Sequence, residues 1–373
     1  MVGGGRDAFI GGVHRIAARI DDRYELVAGA LSSSPDKAKA SAADLLLAED
    51  RSYGSYEEMA EREAARPDGI DAVAIVTPNH AHFGPAKAFL DAGINVICDK
   101  PLTTNLADAE ALRATVESSG LIFGLTHNYT GYPLVRHARE MVAAGELGRV
   151  RVIQAEYPQD WLSTREEDGD NKQAEWRTDP ARSGPAGCVG DIGTHAYNLA
   201  RFITGLQLEE IAADLHTFVE GRALDDNAHM MLRFADGARG MLWSSQVAPG
   251  NENALRIRIY GEKGGLVWDQ ENPNLLTFSP LGEAPRLLRR GGPGLGAAAE
   301  HATRTPPGHP EGYLEGFAQL YSDLADQICA QISGGDANLL SLTVPTVADG
   351  VDGVRFITRA VESSQAGAAW LRF

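Results

Sequence analysis

MVGGGRDAFIGGVHRIAARI, residues 1–20, holds glycines at 3, 4, 5, 11 and 12, followed from Val13 to Ile20 by a run with helical spacing. Glycines between a strand and a helix let backbone approach a phosphate, and the helix N-terminus adds positive potential. Gly3 and Gly5 fill the first two places of a G-x-G-x-x-G dinucleotide fingerprint. The third place falls on Ala8, which the fingerprint tolerates, or on Gly11 with an insertion, roughly Arg6 to Phe9. Only Met1 and Val2 precede the glycines, where a first strand needs about five apolar residues. Either that strand is short, or the numbering starts inside it. The insertion is a lid over pyrophosphate or a solvated loop. As a lid, it would set Arg6 on a phosphate oxygen and pack Phe9 and Ile10 on the adjacent helix.

Beyond this stretch, strand and helix alternate. YELVAGAL (24–31), DAVAIVT (71–77), NVICD (95–99) and LIFGLTH (121–127) read as strands. The segments 34–47, 55–65, 81–93 and 105–120 read as helices, with Ser34 and Ser55 as N-caps and Gly93 as a stop. Such spacing implies right-handed βαβ units and a doubly wound parallel sheet, a Rossmann domain over 1–128. After Asn128 strands recur without intervening helices, as in LEEIAADLHTFVE, NAHMMLRFADG, RGMLWSSQVA and ALRIRIYGEKGGLVWD. This predicts an α+β domain over 129–373 with a large, mostly antiparallel open sheet, one face of it under helices. Gly291 to Pro310 reads as a long surface loop.

A formal charge of -17 argues against nucleic acid or an anionic membrane as partner. Cys98, Cys188 and Cys329 are too scattered for a disulfide framework or a metal knot. They suit free thiols in a reducing cytoplasm. No apolar run reaches the roughly 20 residues of a membrane span, and no signal peptide is evident. No metal is expected.

Three constellations carry chemistry. TPNHAH places Thr77, Pro78, Asn79, His80 and His82 just past a strand end, where open parallel sheets bind ligands. The alternative is a capped turn. CDKP puts Asp99 and Lys100 at the next strand end, with Pro101 suited to a cis peptide. A partly desolvated lysine can exchange a proton with a substrate hydroxyl; the alternative is a solvated ion pair. GDIGTHAYN sets Asp191 and His195 four apart, on one helical face. An Asp that orients a His is an acid/base arrangement. The alternative is an N-cap and a satisfied helix histidine.

Together, the glycine-rich start, T-P-N-x-x-H, K-P at the next strand end and G-D-x-G-x-H some 90 residues later resemble the Gfo/Idh/MocA oxidoreductases over essentially the whole chain. In that family a G-x-x-H follows the phosphate loop. Gly11-Gly12-Val13-His14 fits it, which favours Gly11 as the third glycine. The resemblance implies that Lys100 contacts the reacting hydroxyl and the nicotinamide C4 region, that His195 is the acid/base, and that Asp191 binds substrate. Asp99 stands where the family more often has glutamate. Trp176 and Arg177 match a position near cofactor and substrate, and THNYTGYP replaces the more usual aromatic-arginine segment.

The expected cofactor set is Gly3, Gly5, Phe9, Ile10, Gly11, Ser32, Ser33, Lys37, Thr77, Pro78, Asn79, His82, Asp99, Lys100, Trp176 and Arg177. The expected substrate set is Lys100, Asn128, Tyr129, Tyr157, Gln159, Asp160, Trp176, Asp191 and His195, with Trp161 beside it. Ser32-Ser33-Ser34 follows YELVAGAL where NADP enzymes carry arginine, so NAD is favoured, and Lys37 or Lys39 reaching back would instead indicate NADP. The expected activity is hydride transfer between nicotinamide and a sugar, glycoside or cyclitol CH–OH. The alternatives are a redox-neutral NAD-dependent glycosidase, with His127, Tyr129 or Asp160 as a further base, and a cofactor-binding regulator. The resemblance also implies a homodimer or homotetramer.

Overall fold

The computed structural model describes residues 1–373. It divides into two compact units, Met1–Asn128 with Tyr313–Val351 and Tyr129–Gly312 with Asp352–Phe373. No helix is long and apolar enough to cross a membrane.

In the first unit four parallel strands lie in chain order: β1 (Val2–Gly3), β2 (Ala72–Val76), β3 (Asn95–Cys98) and β4 (Phe123–Leu125). Strands covered on both faces must be apolar throughout, and Val73, Ile75, Val96, Ile97 and Cys98 are all buried. Between the strands run α1 (Phe9–Ile20), α2 (Pro35–Asp44), α3 (Tyr56–Ala65), α4 (Phe83–Asp91) and α5 (Leu106–Ser119). Ser55 caps α3 by accepting Glu58 N–H, and Asn105 caps α5 by accepting Asp108 N–H.

Three expectations need correction here. YELVAGAL forms no full strand. It makes only isolated bridges, Val2↔Ala30 and Gly29↔Ser52, because β1 offers two residues to pair with. The first helix starts at Phe9 rather than Val13, and Phe9 is 67% exposed instead of packed on a neighbour. Residues 313–351, read as part of the second domain, join the first unit. Their helix Tyr313–Ser333 buries Phe317, Leu320, Tyr321 and Leu324 against Val13, Ala17 and Ile97.

The second unit opens with α6 (Pro133–Ala143), β5 (Val150–Pro158), α7 (Lys172–Arg177) and α8 (Pro180–Ser183). A π-helical turn, Val189–Gly193, then leads into α9 (Thr194–Thr204). Strands β6 (Leu208–His216), β7 (Asn227–Phe234), β8 (Arg239–Ser245), β9 (Arg256–Gly261), β10 (Gly264–Asp269), β11 (Leu275–Pro280) and β12 (Arg286–Arg289) follow. With β13 (Leu371–Arg372) they form a nine-stranded sheet, β12-β11-β10-β9-β5-β8-β7-β6-β13, in which β5–β8 is the one parallel pair. Residues alternate in and out at period two. Ile153, Met230, Leu232, Leu242, Ile257, Ile259 and Trp268 pack with Leu134, Ala138 and Met141 of α6 and Leu199 and Ile203 of α9. Val152, Met231, Met241 and Tyr260 are exposed.

The segment 291–310 is more than the surface loop expected. It contains α10 (Ala297–His301), whose Ala298 and Ala299 are buried. Buried Arg290 bonds Asn274 Oδ1 and Glu311 and the carbonyls of Thr305, Pro306 and His309, which pins both ends of the loop.

Candidate active site

In the first unit the strand carboxyl ends present Gly3–Gly5, Thr77–Asn79, Asp99–Lys100 and Thr126–His127. Gly3 and Gly4 adopt left-handed φ of 76° and 71°. A Cβ on Gly11 would lie 2.4 Å from Gly4 Cα and 2.5 Å from Gly4 O. Only paired glycines allow α1 to start this close to the strand end. Gly11, not Ala8, therefore makes the close packing. Gly4, which the fingerprint reading passed over, is its partner, and Arg15 Nη1 donates to Gly4 O at 2.5 Å.

The basic residues of this loop point elsewhere than expected. Arg6 holds both carboxylate oxygens of Asp44, at 2.5 and 2.7 Å, and its N–H donates to Ser41 Oγ. Lys37 Nζ lies 3.2 Å from Asp7 Oδ2. Arg6 is thus tied to α2 rather than directed at a phosphate, because Asp44 supplies a bidentate carboxylate in reach. Ser32 Oγ accepts Ser34 N–H, and Ser33 is exposed.

At the next strand ends, the His82 ring lies 2.7 Å from Pro101 O and 2.9 Å from Thr77 O, joining the β2 end to the Lys100–Pro101 turn. The Lys100–Pro101 peptide is cis. Burial holds the His82 pKa below its ordinary value, against Asp99 and the two carbonyls. Asp99 Oδ1 accepts Lys100 N–H at 3.0 Å and Thr126 Oγ1–H at 2.8 Å. Lys100 is half-buried and Asn79 is buried. Burial, with the Lys100 charge, brings the His127 pKa down to about 3. Buried Asn128 closes this unit.

In the second unit Asp191 and His195 stand where chain winding changes. Asp191 lies in the π turn and His195 in the first turn of α9, so their spacing is not that of one α-helical face. The wide turn is held by Asp225, a buried carboxylate that accepts Gly187 N–H at 2.6 Å, Val189 N–H at 3.0 Å and the Cys188 thiol at 3.1 Å. Gly193 packs on β8, where a Cβ would meet Ser244 Oγ at 3.1 Å. Asp191 Oδ2 accepts Arg177 Nε–H at 3.2 Å and Gln246 Nε2–H at 2.9 Å. The Arg177 guanidinium also lies 4.3 Å over the Trp176 ring.

Tyr129 stands edge-on to His195, with ring centroids 5.0 Å apart. Its hydroxyl is bonded to that of Tyr157. The Tyr157 hydroxyl and Gln159 Nε2–H both donate to Asn253 Oδ1, and Trp161 Nε1–H donates to Gln159 Oε1. Asp160 departs from the others, because its Oδ2 accepts Gly250 N–H at 3.0 Å and fixes a turn. The second unit thus gathers Tyr129, Tyr157, Asp191 and His195, while Lys100 and the glycine cradle belong to the first. Sequence reasoning missed Gly4, Gln246, Asn253 and Asp225. The glycine run offered a signal for Gly4. The other three act across long sequence separations and leave none.

The chain matches known proteins over its whole length. Residues 1–127 match an oxidoreductase family model with an NAD-binding Rossmann fold, and residues 135–267 match the GFO/IDH/MocA C-terminal domain. The uncharacterized oxidoreductase YfiI of Bacillus subtilis is 35% identical, over 100% of this chain and 96% of its own. The crystal structure of an oxidoreductase from Sinorhizobium meliloti is 54% identical, with a TM-score of 0.91 over 100% of this chain and 98% of that one. That of an inositol dehydrogenase homolog from Azotobacter vinelandii, complexed with NADH and myo-inositol, is 35% identical, with a TM-score of 0.92 over 100% and 96%.

Proposed function

Since the chain belongs to the Gfo/Idh/MocA oxidoreductase family, with an NAD-binding Rossmann domain at its start, we propose that it oxidises a CH–OH group of a cyclitol or sugar, with NAD as hydride acceptor. The carrying observation is the Asp191–His195 turn. Two donors, Arg177 and Gln246, hold the Asp191 carboxylate in place four residues before His195, whose ring stands against Tyr129. A pure sensor has no need of that proton-handling set.

The glycine cradle fits the cofactor, since the space a Cβ would fill at Gly4 and Gly11 is closed to every other residue. Gly3, Gly4, Gly5 and Gly11 would hold the pyrophosphate, Ser32 and Ser33 the ribose, and Thr77, Asn79 and Lys100 the nicotinamide end. Bound NAD supplies the hydride acceptor. His195 would take a hydroxyl proton at its imidazole, and Lys100, at the strand end of its own unit, is suited to polarise a hydroxyl oxygen. Asp191 holds a substrate hydroxyl, with its own direction set by Arg177. Tyr129, Tyr157 and Gln159 present a polar, aromatic wall suited to a polyhydroxylated ring.

A redox-neutral glycosidase would need a further base. Burial makes His127 a weak base and pushes the Tyr129 pKa up, and Asp160 is committed to Gly250. This favours simple oxidation. The exposed sheet face around Val152, Met231, Met241 and Tyr260 is our proposed pairing surface for a homodimer or homotetramer, in a reducing cytoplasm that suits the free thiols. The reading is tested with a panel of cyclitols, sugars and aryl glycosides, followed for NADH absorbance and aglycone release in parallel. NADH from a polyol supports it. Aglycone release without net NADH supports the glycosidase.

A further inference from the structure

The side chains around Tyr129 form a hydrogen-bonded chain whose direction is fixed by one group. The Trp161 indole only donates, and its Nε1–H reaches Gln159 Oε1 at 3.0 Å. That orients the Gln159 amide, whose Nε2–H donates to Asn253 Oδ1 at 2.7 Å. The same oxygen accepts the Tyr157 hydroxyl hydrogen at 2.7 Å, while Asn253 Nδ2 donates to Gln270 Oε1 at 3.1 Å and to the Tyr129 hydroxyl oxygen at 3.5 Å. With its own hydrogen spent on Asn253, Tyr157 must accept in its contact with Tyr129, so the Tyr129 hydroxyl donates there. Both tyrosines are buried, and Tyr129 lies edge-on to His195.

We propose that Asn253 is a positioning residue that sets substrate specificity, by committing the hydrogens of Tyr157 and Tyr129 inward so that both meet a ligand as acceptors only. The site then selects a polyol that donates a hydroxyl hydrogen next to the group facing His195. A fluorine or ether oxygen at that position brings lone pairs against lone pairs, and a deoxy analogue leaves the acceptor unpaired. The inference rests on the polyol dehydrogenase reading and deepens it. Along this chain, through Gln159, Asn253 and Tyr157, Trp161 stands four hydrogen bonds from Tyr129.

The test compares wild type, Asn253→Leu and Asn253→Asp on the polyol that wild type oxidises fastest and on its monodeoxy, monofluoro and mono-O-methyl derivatives. For at least one ring position, wild type should lose about 30-fold or more in kcat/KM on loss of the hydroxyl hydrogen. In Asn253→Leu the KM for the parent polyol should rise about tenfold with kcat within about threefold, and the discrimination should shrink below about threefold. Asn253→Asp should restore discrimination, since its carboxylate still accepts from both Tyr157 and Gln159. Should Asn253→Leu not fold, Trp161→Phe releases Gln159 and should weaken the discrimination in the same direction. A wild type that accepts fluoro and hydroxyl equally at every position, or a leucine variant that keeps the discrimination, overturns the proposal. A second readout needs no activity. The ¹H–¹⁵N resonance of the Trp161 indole, assigned with Trp161→Phe, should move in Asn253→Leu as Gln159 loses its acceptor. If wild type oxidises no polyol, the functional reading fails and this resonance alone decides the network, which an unmoved peak overturns.

Discussion

Arg177 donates its Nε–H to Asp191 Oδ2 at 3.2 Å, and that oxygen also accepts from Gln246 at 2.9 Å. The Asp191 carboxylate, four residues before the proposed acid/base His195, is thus fixed by residues 14 positions before it and 55 after it. Replacing Arg177 by Met leaves one donor, and kcat/KM for the polyol should fall about tenfold, about 1.4 kcal/mol of transition-state stabilisation. His195→Ala should cost about 10²–10⁴. If Asp191 and His195 act as a unit, Asp191→Asn combined with His195→Ala should be little worse than His195→Ala alone. Full additivity in that double-mutant cycle would show independent action.

Gly11 and Gly12 are neighbours with opposite surroundings. A Cβ at Gly11 strikes Gly4 backbone at 2.4 Å, whereas one at Gly12 meets nothing nearer than Arg15 Nη2 at 4.0 Å. Gly11→Ala should weaken NAD binding at least about tenfold and cost about 1–3 kcal/mol of stability by overpacking. Gly12→Ala should change neither. Equal NAD dissociation constants for the two variants, by fluorescence titration, would contradict the cradle.

Acid should destabilise the first unit through its buried histidines. Burial brings the His127 pKa to about 3 and lowers that of His14. The unfolded pKa is about 6.5, so between these values the unfolded state binds the extra proton and stability rises with pH. For His127 the contribution is complete above about pH 6.5 and is lost as pH falls from there toward 3, with a limiting slope of about 1.4 kcal/mol per pH unit, and His14 acts in the same direction. Urea midpoints between pH 7.5 and 5 should drop, and less so in His127→Gln. Parallel curves for the two proteins would contradict the assignment.

Cofactor choice follows from the loop contacts. Lys37 is paired with Asp7 and Arg6 with Asp44, and the residues after the Gly29–Ala30 segment are serines. No cation in this group is directed at a 2′-phosphate, so NAD should bind more tightly than NADP. Lys37→Ala should leave that ratio unchanged. A strong NADP preference, abolished in Lys37→Ala, would reverse the reading.

Much of this was legible in the sequence. Runs such as DAVAIVT and NVICD are apolar because they are buried on both faces, and the capping residue Ser55 marks its helix. The motifs TPNHAH, CDKP and GDIGTHAYN mark strand ends and a helix start, where the structure places them. Their mutual contacts were not legible. The π winding at Val189–Gly193 depends on Asp225, from a distant loop, and periodicity alone reads the same residues as α-helix. Arg6 looked suited to a phosphate, and only the folded chain places Asp44 beside it. Tyr24 to Leu31 had strand composition but lacked a partner long enough to pair with.

Hydride transfer from a CH–OH carbon is tested most directly by isotope. The purified protein is incubated with NAD⁺ and a polyol carrying deuterium on every ring carbon, and the reduced cofactor is analysed by mass spectrometry. The account predicts NADD carrying one deuterium on the nicotinamide ring, formed by wild type and reduced by about 10²-fold or more in Lys100→Met with NAD⁺ saturating for both proteins. Reduced cofactor without deuterium, or no reduced cofactor from any cyclitol or sugar, would contradict it.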